Sequence, residues 1–92
     1  MPHVTIVIPA GLRDLCQGLD EVDVVAGTVA EALLQLVGRC PVLQPRLFLP
    51  EGGLRPRVNL FVGAEPVHAL AGLATPLGED DRLLIVPAVA GG

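Results

Sequence analysis

The sequence predicts a small α+β domain in two layers: a mixed sheet of four to five strands with one main helix packed on one face. Three observations predict it. Apolar residues alternate near both ends of the chain, as half-buried strands require. One capped amphipathic segment, beginning at Thr28, carries a single helical stripe. No repeat or linker divides the 92 residues, a length that makes one domain.

The elements follow in order. Val4, Ile6 and Ile8 alternate with Thr5 and Val7 up to Pro9, giving a first strand. Gly11–Gly18 reads as a turn or loop. Glu21–Ala26 is a second strand with Val22 and Val24 on one face, and the two strands form a hairpin. Thr28-Val29-Ala30-Glu31 fits a capping box, in which the hydroxyl accepts from the N3 amide and the carboxylate returns to the N-cap amide. The helix extends to Leu36 or Val37, with Gly38 as a left-handed stop. Val29, Leu33, Leu36 and Val37 form its buried stripe, opposite Glu31 and Gln35.

Pro41, Pro45, Pro50 and Pro56 then break any long element between Cys40 and Arg57, and Glu51-Gly52-Gly53 closes a small hairpin between Leu47 and Leu54. Val58–Val62 is a strand ended by Gly63-Ala64-Glu65-Pro66. Val67–Leu77 is irregular or a short strand. Gly78-Glu79-Asp80-Asp81 is a polar turn before the final strand, Arg82–Val86, which Pro87 closes. The first and last strands are candidates to lie parallel at the centre of the sheet.

Composition excludes several functions. A domain this small buries only about 60–65% of its unfolded surface, so its core must be rich in apolar residues; 51% of the residues are hydrophobic. With two aromatics, Phe48 and Phe61, the chain offers no stacking platform for single-stranded nucleic acid. A net charge of −4 with scattered Arg gives no basic stripe for a phosphate backbone. No apolar run approaches the ~20 residues needed to span a bilayer, and no signal peptide opens the sequence. Cys16 and Cys40 are too few for a disulfide framework, so a cytoplasmic protein with reduced thiols is expected. All six cationic side chains are Arg. Their excess over Lys is a compositional habit, although a chain with an activated C-terminus also gains by holding no ε-amine of its own to acylate.

Residue types that carry catalysis are scarce. His3 and His68 lack the spacing of metal ligands, so no metal site is expected. Neither cysteine has a legible base beside it. Glu79-Asp80-Asp81 reads as a solvated turn, and Gly52-Gly53 lacks the Lys-Ser/Thr and helix of a phosphate loop. The informative segment is Pro87-Ala88-Val89-Ala90-Gly91-Gly92, small or apolar throughout and uncharged. Extended, the five residues after Pro87 reach roughly 17 Å. Two glycines without Cβ can thread a narrow channel.

Arg57-Val58-Asn59-Leu60-Phe61-Val62, Gly72-Leu73-Ala74-Thr75-Pro76-Leu77, Gly78-Glu79-Asp80-Asp81-Arg82-Leu83 and the Pro-Ala-Val-Ala-Gly-Gly ending together resemble the ThiS/MoaD family of ubiquitin-like sulfur carriers, and within it the CysO-type branch. The resemblance covers Arg46–Gly92 strongly and Met1–Cys40 by element order. It implies a β-grasp domain over residues 1–87 and a flexible diglycine tail over 88–92. It further implies that the chain is a carrier and co-substrate rather than an enzyme, with no bound cofactor. An E1-like adenylyltransferase/sulfurtransferase would adenylate the Gly92 carboxylate with ATP, and sulfur would then displace AMP to leave a thiocarboxylate. Val89, Ala90 and Gly91 would thread the partner's channel. The implied acceptor is a PLP-dependent cysteine synthase. Alternatives are the large subunit of molybdopterin synthase, or target lysines if the chain is a protein modifier joined through Gly92.

Alternation supplies the expected docking surface. If Leu83 and Ile85 face the helix, Leu84 and Val86 face away; if Val58, Leu60 and Val62 point inward, Phe61 points out. Phe61, Leu84 and Val86 then form an apolar patch on the open face of the sheet, the kind of exposed surface that marks an interface.

Overall fold

The structure is a computed structural model that describes residues 1–87. Its strands are β1 (His3–Val7), β2 (Glu21–Val25), β3 (Val58–Val62), β4 (Glu65–Pro66) and β5 (Asp81–Pro87). Two α-helices, α1 (Val29–Arg39) and α2 (Gln44–Leu47), follow β2. The strands form one sheet in the order β2-β1-β5-β3-β4. β1 and β5 are parallel neighbours at its centre, and every other pairing is antiparallel. This is the β-grasp arrangement, with α1 packed across one face.

The core forms where the inward rows of the sheet meet α1. Val4, Ile6, Leu60, Leu83 and Ile85 face Val29, Ala32, Leu33 and Leu36, all buried. Five strands and an 11-residue helix suffice because nearly every inward position is a branched aliphatic, removing apolar area at about 25 cal/mol per Å². Val37 packs against this core only in part; Ala32 takes its place in the buried stripe.

The Thr28 hydroxyl accepts from the Glu31 amide at 3.2 Å, as a capping box requires. The Glu31 carboxylate returns one residue earlier than expected, accepting from the Gly27 amide at 2.8 Å. Gly38 is not a left-handed stop. The helix continues through it to Arg39 and ends at Cys40, whose φ of −131° and ψ of 74° are non-helical. Pro41 explains the stop, since its ring disfavours the helical conformation in the residue before it. The side chain of Gln35 brackets Val25, accepting from its amide and donating to its carbonyl. This covers backbone groups on the edge strand β2; the opposite edge, β4, is only two residues long.

Between β1 and β2 the expected loop is instead a 3₁₀ helix, Ala10–Cys16, stopped by left-handed residues Gln17 (φ 55°) and Gly18 (φ 77°). The proline-rich segment does form the expected hairpin. Leu49 donates to the Gly53 carbonyl at 2.7 Å, and Arg55 donates to the Leu47 carbonyl at 2.9 Å. Val67–Leu77 folds as two 3₁₀ turns, Val67–Ala69 and Gly72–Ala74.

The expectation of reduced, separate thiols is corrected. Cys16, closing the 3₁₀ helix, and Cys40, capping α1, stand 5.4 Å apart at Cα and are joined by a disulfide. Both are buried. Two cysteines 24 residues apart carry no sequence signal for pairing; proximity comes from the fold, which lays the 3₁₀ helix against the end of α1.

Candidate functional site: the open sheet face and the chain exit

The parallel pairing of β1 with β5 fixes the polarity of the molecule. β5 runs toward the end of the sheet that also holds the end of β1, the start of β2 and the start of β3. Pro87 is paired with Val58, so the chain leaves the described fold at this end. The acidic turn Gly78–Asp81 lies at the opposite end. There Asp80 donates to the His3 carbonyl at 2.8 Å, and the Gly78 amide donates to Asp81 Oδ2 at 2.7 Å. Those contacts make Glu79-Asp80-Asp81 a self-capped turn, remote from the chain exit.

His3 braces the same turn. Its amide donates to Glu79 Oε1 at 3.0 Å, and its ring Nδ1 lies 2.9 Å from Glu79 Oε2. The amide bond is the larger cause, and the ring contact the second, holding the Glu79 carboxyl below its usual range.

The face of the sheet away from α1 carries one apolar row that crosses four strands. Val7 on β1 is paired with Leu84 on β5, Leu84 with Phe61 on β3, and Phe61 with Pro66 on β4. All four are half-buried. One step nearer the chain exit, Val86 is 42% exposed and paired with Asn59. Phe61, Leu84 and Val86 therefore share the open face, as the alternation required. Val7 and Pro66, absent from the sequence reading, complete the row. Val7 was legible from the same alternation, whereas Pro66 sits in a strand too short to show a period.

The row has a polar border on one side. Glu21 on β2 is the residue opposite Val7, and its carboxylate meets Arg82 Nη2 at 2.7 Å. Thr5 Oγ1 donates to Asp23 Oδ1 at 3.1 Å in the adjacent row. The open face is thus apolar along the row Val7–Leu84–Phe61–Pro66 and polar around Glu21, Asp23, Thr5 and Arg82. The predicted covalent site Gly92, the threading residues Val89, Ala90 and Gly91, and the tail over 88–92 lie outside the described residues.

Comparison with known proteins adds the family. The model of the ThiS family matches residues 6–92. The chain belongs to the ThiS family. The sulfur carrier protein CysO of Mycobacterium tuberculosis is 35% identical over 92 residues, spanning 98% of this chain and 99% of that protein. Among solved structures, the BexX/CysO complex of Amycolatopsis orientalis matches with a TM-score of 0.88 and 35% identity, covering 97% of this chain and 99% of that one. Small archaeal modifier protein 1 of Haloferax volcanii matches with a TM-score of 0.84 and 29% identity, covering 97% and 100%. For this ThiS-family chain no helix among the described residues is long and apolar enough to cross a membrane.

Proposed function

We propose that this protein is a sulfur carrier whose working group is the carboxylate of Gly92. The observation that carries the reading is the likeness to the sulfur carrier CysO over almost the whole of both chains. The geometry supports it: a central strand delivers the chain to one end of the sheet, and an apolar row lies on the open face beside that exit.

The chemistry runs in two steps. A carboxylate is a poor electrophile because its leaving group would be an oxide. Attack of the Gly92 carboxylate on the α-phosphorus of ATP forms an acyl-adenylate and releases pyrophosphate. Sulfide, or a persulfide followed by reduction, then attacks the acyl carbon and expels AMP. The resulting thiocarboxylate is ionised near neutral pH and holds the sulfur covalently as a soft nucleophile. An E1-like adenylyltransferase/sulfurtransferase supplies catalysis and positioning, while the carrier contributes the acyl end and its docking face. Phe61, Leu84 and Val86 dock the activator and then the acceptor, a PLP-dependent cysteine synthase. The carrier itself is not a catalyst.

The test is incubation with ATP, sulfide and the E1-like enzyme of the same organism, read by intact mass. Exchange of one terminal oxygen for sulfur on Gly92, abolished by deletion of Gly91-Gly92, is the expected result. An unchanged mass with every plausible activator would refute the reading. A second reading, a protein modifier joined through Gly92 to target lysines, is supported by the likeness to small archaeal modifier protein 1. Target peptides bearing Gly-Gly remnants would favour it.

A further inference from the structure

Three of the six Arg side chains fall within residues 44–58, a stretch whose single carboxylate is Glu51. The fold gathers them beside the chain exit. Arg46 precedes Leu47, whose carbonyl accepts from the Arg55 amide at 2.9 Å; the Arg55 carbonyl accepts from the Val58 amide at 3.0 Å; and Val58 is paired with Pro87. Arg57 immediately precedes Val58. Arg55 Nε is held by the Pro45 carbonyl at 2.6 Å, so this guanidinium is fixed between the other two segments. Glu51 lies at the hairpin tip, four residues beyond the Leu47–Arg55 bond.

Among the described residues none of the three guanidiniums meets a carboxylate. The arginine–carboxylate pair among those residues is Arg82–Glu21, which lies elsewhere. Arg46 and Arg57 are exposed and Arg55 is half-buried. The other flank of the exit has the opposite character. Its loop carries Asp14 and Asp20, and Arg13 of the same loop is turned onto the Ile8 carbonyl at 3.0 Å, while Glu21, the first residue of β2, is paired with Arg82. A chain of net charge −4 thus presents a concentrated positive rim on the β3 side of its exit and a negative one on the β1–β2 side.

We infer that Arg46 and Arg57, with Arg55 fixed between them, form a docking rim for an acidic surface on the protein that activates the carrier, bordering the entrance to its tail channel. The inference rests on the sulfur-carrier reading and names the chemistry of the partner. Complementary charge beside the entrance orients the encounter and raises its rate, and it fixes which flank of the carrier meets which side of the channel. Arg suits this role because its guanidinium is permanently charged, sheds water readily and pairs with carboxylates through two parallel bonds. Nucleic acid is a poorer fit, because the rim is short and the rest of the molecule is acidic.

The test uses ATP–pyrophosphate exchange by the same organism's E1-like adenylyltransferase, titrated with carrier at low and moderate salt. Arg46→Glu/Arg57→Glu should raise the KM for carrier about tenfold, the scale of two reversed rim charges, with kcat unchanged. The wild-type KM should climb with salt while that of the double variant stays nearly flat. Arg57→Glu alone should exceed Arg39→Glu, which makes the same charge change on α1. Urea unfolding checks that all three variants fold; Arg55 is left intact because its Pro45 bond is structural. Equal KM values for wild type and the double variant, with wild type active, would overturn the rim and leave the carrier reading standing. An equal effect from Arg39→Glu would reduce it to net charge and overturn it too. No exchange with wild type would overturn both. Micromolar binding of a short RNA duplex that Arg46→Glu/Arg57→Glu abolishes would assign the rim to nucleic acid instead.

Discussion

Phe61 on β3 stands directly opposite Leu84 on β5, on the face of the sheet that α1 leaves open. Two large apolar side chains paired there do nothing for the core beneath them, yet each gives up water only in part. Phe61→Asp should therefore leave the fold intact, with a change in unfolding free energy of about 1 kcal/mol or less from the lost cross-strand pair. Affinity for the activating enzyme, measured by calorimetry, should fall at least tenfold, as expected where a central aromatic anchor is replaced by a charge. Unaltered loading kinetics in this variant would count against the docking face.

The Cys16–Cys40 disulfide closes a loop of 24 residues' separation between the 3₁₀ helix and the end of α1. Reduction, or Cys16→Ala/Cys40→Ala, should lower stability by about 3.5 kcal/mol on the chain-entropy account. Urea midpoints with and without a reductant measure this. Alkylation of the unfolded, unreduced protein should add no mass; uptake of two alkyl groups would show that the thiols are free.

Thr28 caps α1 with its hydroxyl, and Glu31 closes the reciprocal bond to Gly27. Thr28→Ala should cost about 1 kcal/mol by leaving an N-terminal amide of the helix without its acceptor. Thr28→Ser should restore most of it. Denaturant unfolding of the pair separates the hydrogen bond from the loss of side-chain bulk.

Glu79 supplies the pH dependence. Its folded-state pKa is depressed, first by the His3 amide and then by the His3 ring. The stabilisation from this contact is therefore present above the unfolded carboxylate range and is lost as pH falls through the depressed value. Glu79→Gln should be less stable than wild type near neutral pH. The two should converge in acid well below the usual carboxylate range. The effect is small because the carboxylate is exposed and screened by water. Parallel urea titrations across pH, with an NMR titration of the Glu79 side chain, check both sign and window.

Much of this fold was legible because burial imposes a period. Val4-Ile6-Ile8, Val22-Val24, Val58-Leu60 and Leu83-Ile85 each announced a strand face, and the same rule put Phe61, Leu84 and Val86 on the other side. The helix start was legible because Thr28 and Glu31 act locally. Its end was misread because a glycine signal at Gly38 competed with a proline signal at Pro41, and the steric effect of proline on Cys40 prevailed. The 3₁₀ helix at Ala10–Cys16 escaped notice because seven residues of mixed polarity show no period.

By itself the sequence determined the two-layer class, the order of its elements, the inward and outward rows of each strand, and the family, all of which follow from local spacing and motif. Only the tertiary structure decided what depends on residues far apart in the chain. The parallel pairing of β1 with β5 carries the chain exit to the end of the sheet opposite the acidic turn. The packing of the 3₁₀ helix against the turn Pro41–Leu43, just past the end of α1, joins Cys16 to Cys40. The turn from Leu47 through Arg55 to Val58 sets three cations beside Pro87. Each depends on chain closure over many residues, whose outcome is settled by the whole core and leaves no mark on local spacing.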